Sequence, residues 1–475
     1  MKTMKYITVL ILSLVVLASC ESWLDVSPAA EIKEDSQFSN EQGFKDALYG
    51  AYTRVTSDKL YGRQTTFGFL TAMTYAYSNQ GAWSGIYAAA CRYDYTNAEI
   101  KGWIDDIWNE TYSAIAHVNL ILRNVDKKKS VMTEQVYNMV KGEMLGLRAY
   151  LHFDLFRLYA PAYSAGADLT ELTIPYREEF GITATPPLSM QDFMGKVLGD
   201  ITEACKYLET YKEIDLMGEY VGHAAPGGDD FMMYRQNRFN YYAARALEAR
   251  ACMYMGNKTG AAAAAGEVID SRRFHFITAD EANATGAAKD YVFTPELIFA
   301  LYDSKLQDRA DYYFTENTQP KPGAPAFWLQ LNAASRSTLY EVSAGGSSDM
   351  RYVKQWAASG TNTYCTKYWQ LDNMDMAVRN QIPLLKLGEM YLILAEAKAD
   401  PEVLNRMREA RALAPNINSG TLDIGLAGEY RKEFFAEGQF YFYYKRMGIA
   451  RFPNAGYDAK FVFPIPDNEK VYGEY

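Results

Sequence analysis

The chain has 475 residues and a formal net charge of −10 at neutral pH, from 48 basic and 58 acidic side chains. This acidic balance argues against nucleic-acid binding, which usually needs a basic face, and against tight electrostatic docking on anionic lipid. Length alone would suggest about three domains, but a repeat architecture can place a chain of this size in one body, because each unit packs on its neighbours.

The first twenty residues have the pattern of an export signal. Two lysines precede an apolar run over 7–17, which is shorter than the roughly 20 residues that span a bilayer. The run ends in Leu-Ala-Ser before Cys20, which resembles the lipobox of bacterial lipoproteins. We expect a signal peptide over 1–19, a lipid anchor on Cys20 and a single exported domain over 20–475. The alternative is an ordinary signal peptide with a cysteine nearby.

Apolar residues recur every three or four positions along most of the chain, which predicts a mainly α-helical protein. The predicted helices cover 43–55, 104–125, 134–159, 241–256, 259–270, 384–399 and 401–413. The last six form three consecutive pairs, and a helix followed by a turn and an alanine-rich second helix resembles a tetratricopeptide-type unit. Strand-like runs are few and short.

Three irregular stretches, over 61–101, 216–237 and 318–349, interrupt the helical pattern and are rich in glycine, with tyrosine in the first and proline in the other two. Long loops inside an ordered protein are often functional. We therefore predict a tetratricopeptide-like helix-pair scaffold with large irregular loop insertions.

The sequence contains no HExxH, GxSxG or Walker motif and no complete calcium loop. We therefore expect no required metal or cofactor and no enzymatic activity. Glu433 and Glu437 lie one helical turn apart and could act as a glycosidase pair. Basic residues near them in sequence favour neutralised, structural carboxylates instead: Arg431, Lys432, Lys445 and Arg446.

Histidines and cysteines are expected to be structural. His117 and His152 lie on predicted helices with apolar neighbours, which is typical of core histidines. The cysteines other than Cys20 are far apart and are expected to be mostly buried thiols outside any disulfide: Cys91, Cys205, Cys252 and Cys365.

Aromatic residues are abundant, with 38 Tyr, 23 Phe and 7 Trp. A sugar ring presents a face of C–H groups and a rim of hydroxyls, so it suits an aromatic platform edged by amide or guanidinium groups. Candidate ligand-binding residues lie in or near the first and third irregular stretches: Tyr75, Tyr77, Asn79, Trp83, Tyr87, Arg92, Trp328, Trp356 and Trp369. The alternative for each tryptophan is a packed core residue, which is the prediction for Trp103 and Trp108.

Several segments, in order along the chain, resemble the SusD/RagB family of outer-membrane lipoproteins. Residues 23–28 resemble the family's opening "FLDxxP", and residues 147–155 resemble "LRAxxxFDL". The later matches are the "SDxR" piece at 348–351, the "IPLLRxAEVYLIxAEA" helix at 382–397, "RxxExxxEG" at 431–438 and "FPIPxxE" at 463–469. Lys386 and Gly388 stand where the family more often has Arg and Ala.

The resemblance implies a helical, tetratricopeptide-like body at the cell exterior, anchored in the outer membrane beside a TonB-dependent transporter. It implies a nutrient-binding protein that captures an oligosaccharide and delivers it for import. Oligopeptide capture within the same transport type remains open, as does a structural or adhesion lipoprotein.

Overall fold

The computed structural model describes residues 34–78, 87–163, 166–213, 230–314 and 329–473. The predicted signal peptide and Cys20 lie outside the described residues. Within these ranges no helix is both long enough and apolar enough to cross a membrane.

Helices make up most of the described chain. They are α1 (Glu41–Val55), α2 (Phe69–Met73), α3 (Ala88–Cys91), α4 (Ala98–Lys127), α5 (Glu134–Tyr159), α6 (Met190–Leu208), α7 (Tyr241–Tyr254), α8 (Lys258–Asp270), α9 (Ala279–Ala282), α10 (Leu306–Tyr313), α11 (Ala333–Leu339), α12 (Met350–Lys354), α13 (Leu387–Lys398), α14 (Pro401–Ala410), α15 (Leu422–Glu433), α16 (Gln439–Met447) and α17 (Asp467–Tyr472). The prediction of a mainly α-helical protein is confirmed.

Short polar residues fix where the long helices begin. The side chain of Asn97 accepts hydrogen bonds from the first turn of α4, and Thr133 does the same for α5. Asn240 and Asn257 cap α7 and α8 in the same way. Each cap satisfies backbone N–H groups that have no partner inside the helix, so these starts are encoded locally.

The three predicted helix pairs are present: α4 packs on α5, α7 on α8, and α13 on α14. Further contacts of α5 with α6 and of α8 with α13 join the pairs into one scaffold. Helix α5 lies at its centre and is buried along almost its whole length. One hydrophobic cluster runs through the scaffold from Phe38 to Phe463. The fold is a tetratricopeptide-like helix-pair scaffold.

The strands are short and antiparallel. They are β1 (Leu172–Pro175), β2 (Pro187–Ser189), β3 (Leu297–Tyr302), β4 (Leu331–Asn332), β5 (Trp356–Ser359), β6 (Asn362–Cys365) and β7 (Gln381–Lys386). They form the ribbons β1–β2 and β3–β7 and a small sheet with the order β4–β6–β5.

The helix predicted over 384–399 is wrong at its start. Residues 384–386 belong to β7, where Leu385 pairs with Phe299 of β3, and helix α13 begins only at Leu387. A short apolar run does not distinguish a buried strand from a buried helix. The partner strand decides between them, and it lies far away in the sequence.

Three segments that carry the family resemblance converge on one cluster of charges, here called the ion network. Arg351 pairs with Asp349, Glu429 and Glu433 at 2.6–2.9 Å. The full set of buried members is Glu296, Asp349, Arg351, Lys367, Lys386, Arg408, Arg411, Glu429, Lys432, Glu433 and Glu437. With Glu341, which pairs with Lys432 at the rim, six cations meet six carboxylates.

None of the four cysteines in the described chain forms a disulfide, as predicted. Cys91, Cys252 and Cys365 are buried and Cys205 is partly buried. Burial raises the pKa of Cys91 to about 12 and that of Cys252 to about 11. These thiols are therefore protonated and unreactive at neutral pH.

Candidate functional site

A surface cleft of about 430 Å³ opens between helix α10 and the turns that follow α1. We call it the Arg63 cleft. It is lined by two tyrosines, three cations and two carboxylates: Asp58, Arg63, Lys305, Asp308, Arg309, Tyr312 and Tyr313.

Arg63 joins the two sides of the cleft. Its Nη1 donates to the Tyr313 hydroxyl at 2.5 Å, and its Nη2 pairs with Asp58 at 3.2 Å. Burial works against the charge, but Tyr87, Tyr313 and Asp58 outweigh it and raise the pKa of Arg63. Its Nε is buried and donates to no residue in the described ranges. The cleft therefore holds a permanent cation whose side chain is partly exposed.

Helix α10 supplies the aromatic side of the cleft. The rings of Tyr312 and Tyr313 meet edge to face with centroids 4.7 Å apart. Tyr313 is buried, and the guanidinium carbon of Arg63 lies 5.7 Å from its ring centroid. Tyr312 is partly exposed. An aromatic ring at the surface thus lies beside a guanidinium group.

The position of α10 depends on a close approach to the end of α1. Arg309 pairs with Asp303 and donates through Nη1 to the carbonyl oxygen of Thr56 at 3.0 Å. A Cβ atom on Gly62 would lie 2.2 Å from that oxygen and 2.4 Å from the guanidinium. Only glycine leaves room for this contact.

The described residues on either side of the ranges 79–86 and 315–328 lie together at this edge of the molecule. The backbone N–H of Ser78 donates to Gln330 at 2.9 Å, and that of Leu329 donates to Tyr313 at 2.9 Å. At the other end of the first gap, the Tyr87 hydroxyl donates to Gln64 at 3.3 Å. The described residues on either side of 79–86 and 315–328 therefore lie close to one another, next to the Arg63 cleft.

Two of the nine candidate residues require a correction. Tyr77 is 3% exposed and Tyr87 is 0% exposed. Tyr77 donates to the carbonyl oxygen of Phe67 and packs against Phe435, and Tyr87 packs against Trp103. A ring with no exposed face cannot stack on a ligand, so both are core residues.

Four other candidates are partly buried. Tyr75 donates to the carbonyl oxygen of Cys91, and Arg92 follows that residue at the end of α3. The indole N–H of Trp356 donates to the Tyr340 hydroxyl at 3.2 Å, and that of Trp369 donates to the carbonyl oxygen of Phe314 at 3.0 Å. The last contact places Trp369 beside Phe314, which directly precedes the range 315–328.

Asn79, Trp83 and Trp328 lie outside the described residues. The sequence reasoning missed Arg63, Tyr312 and Tyr313, although a weak signal existed. The paired tyrosines come a few residues before the proline- and glycine-rich third stretch, and Arg63 lies inside the first one.

Glu433 and Glu437 belong to the ion network, but their predicted partners were wrong. Glu433 pairs with Arg351, Lys386 and Arg411, and Glu437 pairs with Lys367 and Lys386. In the described ranges, none of the four basic residues near them in sequence forms an ion pair with Glu433 or Glu437. Lys432 pairs with Glu429, Lys445 donates to three carbonyl oxygens and Arg446 pairs with Glu396.

The predictions for the helical histidines and tryptophans are confirmed in their main point. His152 is fully buried and accepts a hydrogen bond from the backbone N–H of Arg177. Burial lowers its pKa well below the usual value. His117 is partly buried on α4, and Trp103 and Trp108 pack in the core.

Among the described residues no group of three or more His, Cys, Asp or Glu could hold a metal ion.

Comparison with known proteins agrees with this architecture. Residues 22–211 match the model of a SusD-like family described as starch-binding and associating with the outer membrane. A SusD-like protein of Formosa agariphila is 25% identical, over 92% of this chain and 90% of its own length. This chain is thus similar to SusD-like proteins over most of its length.

Solved structures show the same fold for this SusD-like chain. A SusD superfamily protein of Bacteroides thetaiotaomicron superposes with a TM-score of 0.68 at 18% identity, covering 91% of this chain and 98% of that one. A laminarin-binding SusD-like protein superposes with a TM-score of 0.62 at 15% identity, covering 92% and 98%. At these low sequence identities the superpositions show that the fold is shared.

Proposed function

We propose that this SusD-like chain is a cell-surface binding protein that captures an oligosaccharide and delivers it to a TonB-dependent transporter of the outer membrane. The observation that carries the proposal is the Arg63 cleft. It sets the partly exposed ring of Tyr312 beside the partly exposed guanidinium side chain of Arg63. The starch-binding description of the family model and the laminarin-binding neighbour point to the same ligand class.

The chemistry of the cleft suits a neutral sugar. The face of Tyr312 offers a surface for C–H groups, and Arg63, Asp58 and Asp308 offer donors and acceptors for hydroxyls. With Asp303, which pairs with Arg309, three carboxylates balance the three cations around the cleft, so no net charge selects an ionic ligand. Because the contacts are exposed and few, we expect modest affinity.

The remaining parts of the proposal rest on the pattern of the first twenty residues and on the resemblance to the SusD/RagB family. Residues 1–19 act as a signal peptide, a lipid on Cys20 holds the domain over 20–475 on the outer face of the outer membrane, and no bond in the ligand is broken. Incorporation of labelled palmitate into the native chain, and its loss in Cys20→Ser, would support the anchor. Equal labelling of both would contradict it.

The binding test compares two tyrosines. Tyr312→Ala should weaken binding of laminarin or starch oligosaccharides about tenfold, which is ~1.4 kcal/mol, because it removes the exposed ring. Tyr472→Ala is the matched control, since Tyr472 is 79% exposed on α17, outside the cleft, and it should bind like the native chain. Isothermal titration calorimetry measures both.

Two outcomes would contradict this assignment. If the two tyrosine variants bind oligosaccharides equally well, the Arg63 cleft is not the site. If the native chain binds no oligosaccharide but binds oligopeptides, the ligand class is wrong and the alternative within the same type of transport is correct.

A further inference from the structure

A second cleft, of about 350 Å³, lies beside the first and has a different character. We call it the Arg238 cleft. Its lining is mostly aromatic and thioether, with one guanidinium: Tyr49, Met233, Tyr234, Arg238, Tyr302 and Met376. Its volume is large enough for one sugar ring.

Arg238 lies between two aromatic rings. Its guanidinium carbon is 4.5 Å from the centroid of Tyr49 and 4.6 Å from that of Phe231. Nη2 donates to the carbonyl oxygen of Phe231 at 2.7 Å and to the Tyr49 hydroxyl at 3.3 Å. The side chain is thus held in one orientation, and its Nη1 is buried and turned towards Glu143.

The charge beneath this cleft is not balanced. Arg235 and Arg238 both face Glu143, through Nη2 at 2.6 Å and Nη1 at 3.8 Å respectively. The three residues are 1%, 4% and 0% exposed. In the described ranges no other carboxylate pairs with either arginine. Two buried cations therefore share one buried anion.

Other groups around the cluster do not restore the balance. The Tyr52 hydroxyl donates to Glu143 at 2.8 Å and accepts from the backbone N–H of Phe239, so it adds no negative charge. Nη1 of Arg238 is buried and has no hydrogen-bond partner in the part of the chain that the structure describes. Lys45, which lies over the Phe231 ring, pairs with Glu41.

A buried cation without a counter-charge is destabilising, and an anion that enters from solvent removes the penalty. We propose that the Arg238 cleft binds an acidic sugar unit, whose carboxylate or sulfate pairs with Arg238 while its ring packs against the tyrosines. This inference rests on the proposed function and narrows it, because it names the charge of one unit of the oligosaccharide.

The two clefts are close enough to serve one ligand. Thr53 lines the Arg238 cleft, while Thr56, three residues on, accepts the hydrogen bond from Arg309 of the Arg63 cleft. Tyr302 and Lys305, also three residues apart, line one cleft each. Three residues span at most about 10 Å, so a chain of a few sugar units reaches from the Arg63 cleft to the Arg238 cleft.

The test uses three monosaccharide probes that differ in charge: methyl glucoside, methyl glucuronide and glucose 6-sulfate. Each is titrated into the full chain at low salt and followed by NMR of the sugar signals. We expect the two anions to bind at least about tenfold more tightly than the neutral glucoside, and 0.5 M NaCl to reduce the difference. Preference for the glucuronide identifies a carboxylate as the natural anion, and preference for the sulfate identifies a sulfate ester.

Arg238→Gln should remove the preference for the anions. Arg123→Gln is the matched control, because Arg123 also lies over an aromatic ring, 4.8 Å from the centroid of Phe180, but lines neither cleft. If Arg238→Gln does not fold, Tyr49→Ala replaces it, since Tyr49 is 40% exposed and contacts Arg238. That variant should weaken binding of all sugars at this cleft severalfold.

Equal binding of the three probes, or an anion preference that survives in Arg238→Gln, would overturn the proposal. Neither result affects the Arg63 cleft. The Tyr312→Ala test with neutral oligosaccharides therefore separates a failure of this inference from a failure of the proposed function.

Discussion

Two clusters of buried charge in this protein differ in one respect, their balance. In the ion network six cations meet six carboxylates, with ion pairs from 2.5 to 3.1 Å. Beneath the Arg238 cleft two guanidinium groups meet the single carboxylate of Glu143. Both clusters are shielded from solvent, so burial alone does not distinguish a structural from a functional role.

The two clusters differ in whether each cation has a carboxylate partner of its own. Every cation of the ion network has a carboxylate partner within the chain, and removing Arg351 would leave the buried Asp349 without an ion pair in the described ranges. The network therefore holds elements together, because it joins α12, α14 and α15 to the end of β7. The Arg238 cluster is incomplete without an anion from outside, and it borders an open cleft.

The largest effect is expected from breaking the balanced cluster. Arg351→Gln leaves Asp349, Glu429 and Glu433 without their shared cation, and we expect it to lower the free energy of unfolding by about 3–5 kcal/mol. Chemical denaturation measures the loss. A loss under about 1 kcal/mol would show that the network contributes little to the fold.

Acid should weaken the same network. Burial by itself would raise the pKa of Glu429, but Arg351 and Lys432 outweigh it and hold the pKa at about 2. The folded-state pKa is thus below the unfolded value, so this stabilisation is complete above pH ~4.5 and is lost as the pH falls towards 2. The loss from Glu429 should reach about 3 kcal/mol. Unfolding curves between pH 5 and pH 2 should show a smaller decline in Arg351→Gln.

The unbalanced cluster should respond differently. Arg238→Gln removes the excess charge, so the saved burial penalty offsets part of the lost contacts with Phe231 and Tyr49. We expect a loss of about 1 kcal/mol or less in the free energy of unfolding. A loss as large as that of Arg351→Gln would mean that the two clusters have the same role.

The smallest effect is expected at the surface. Arg451 pairs with Asp458 at 2.7 Å, but the two side chains are 58% and 64% exposed. Arg451→Gln should change the free energy of unfolding by no more than about 0.5 kcal/mol. This variant provides the baseline for the substitutions at Arg351 and Arg238, since all three exchange an arginine for glutamine.

The sequence predicts the scaffold better than the site, for a physical reason. Helix α5 follows from its apolar period and from the cap at Thr133, which are properties of neighbouring residues. The cleft requires Arg63 to meet Tyr313, 250 positions away in the chain. Likewise, Arg351 neutralises Glu433 from 82 positions away, so the basic neighbours of Glu433 in sequence were the wrong partners. Residue type predicts what chemistry is possible, and the fold decides which groups meet.

If the unbalanced cluster receives an anionic ligand, that ligand should stabilise the fold, since a ligand that binds the folded state raises the free energy of unfolding. With saturating methyl glucuronide or glucose 6-sulfate, the unfolding midpoint of the native chain should rise, while that of Arg238→Gln should stay unchanged. An equal rise in both proteins, or no rise in the native chain with either anion, would show that Arg238 does not receive an anionic ligand.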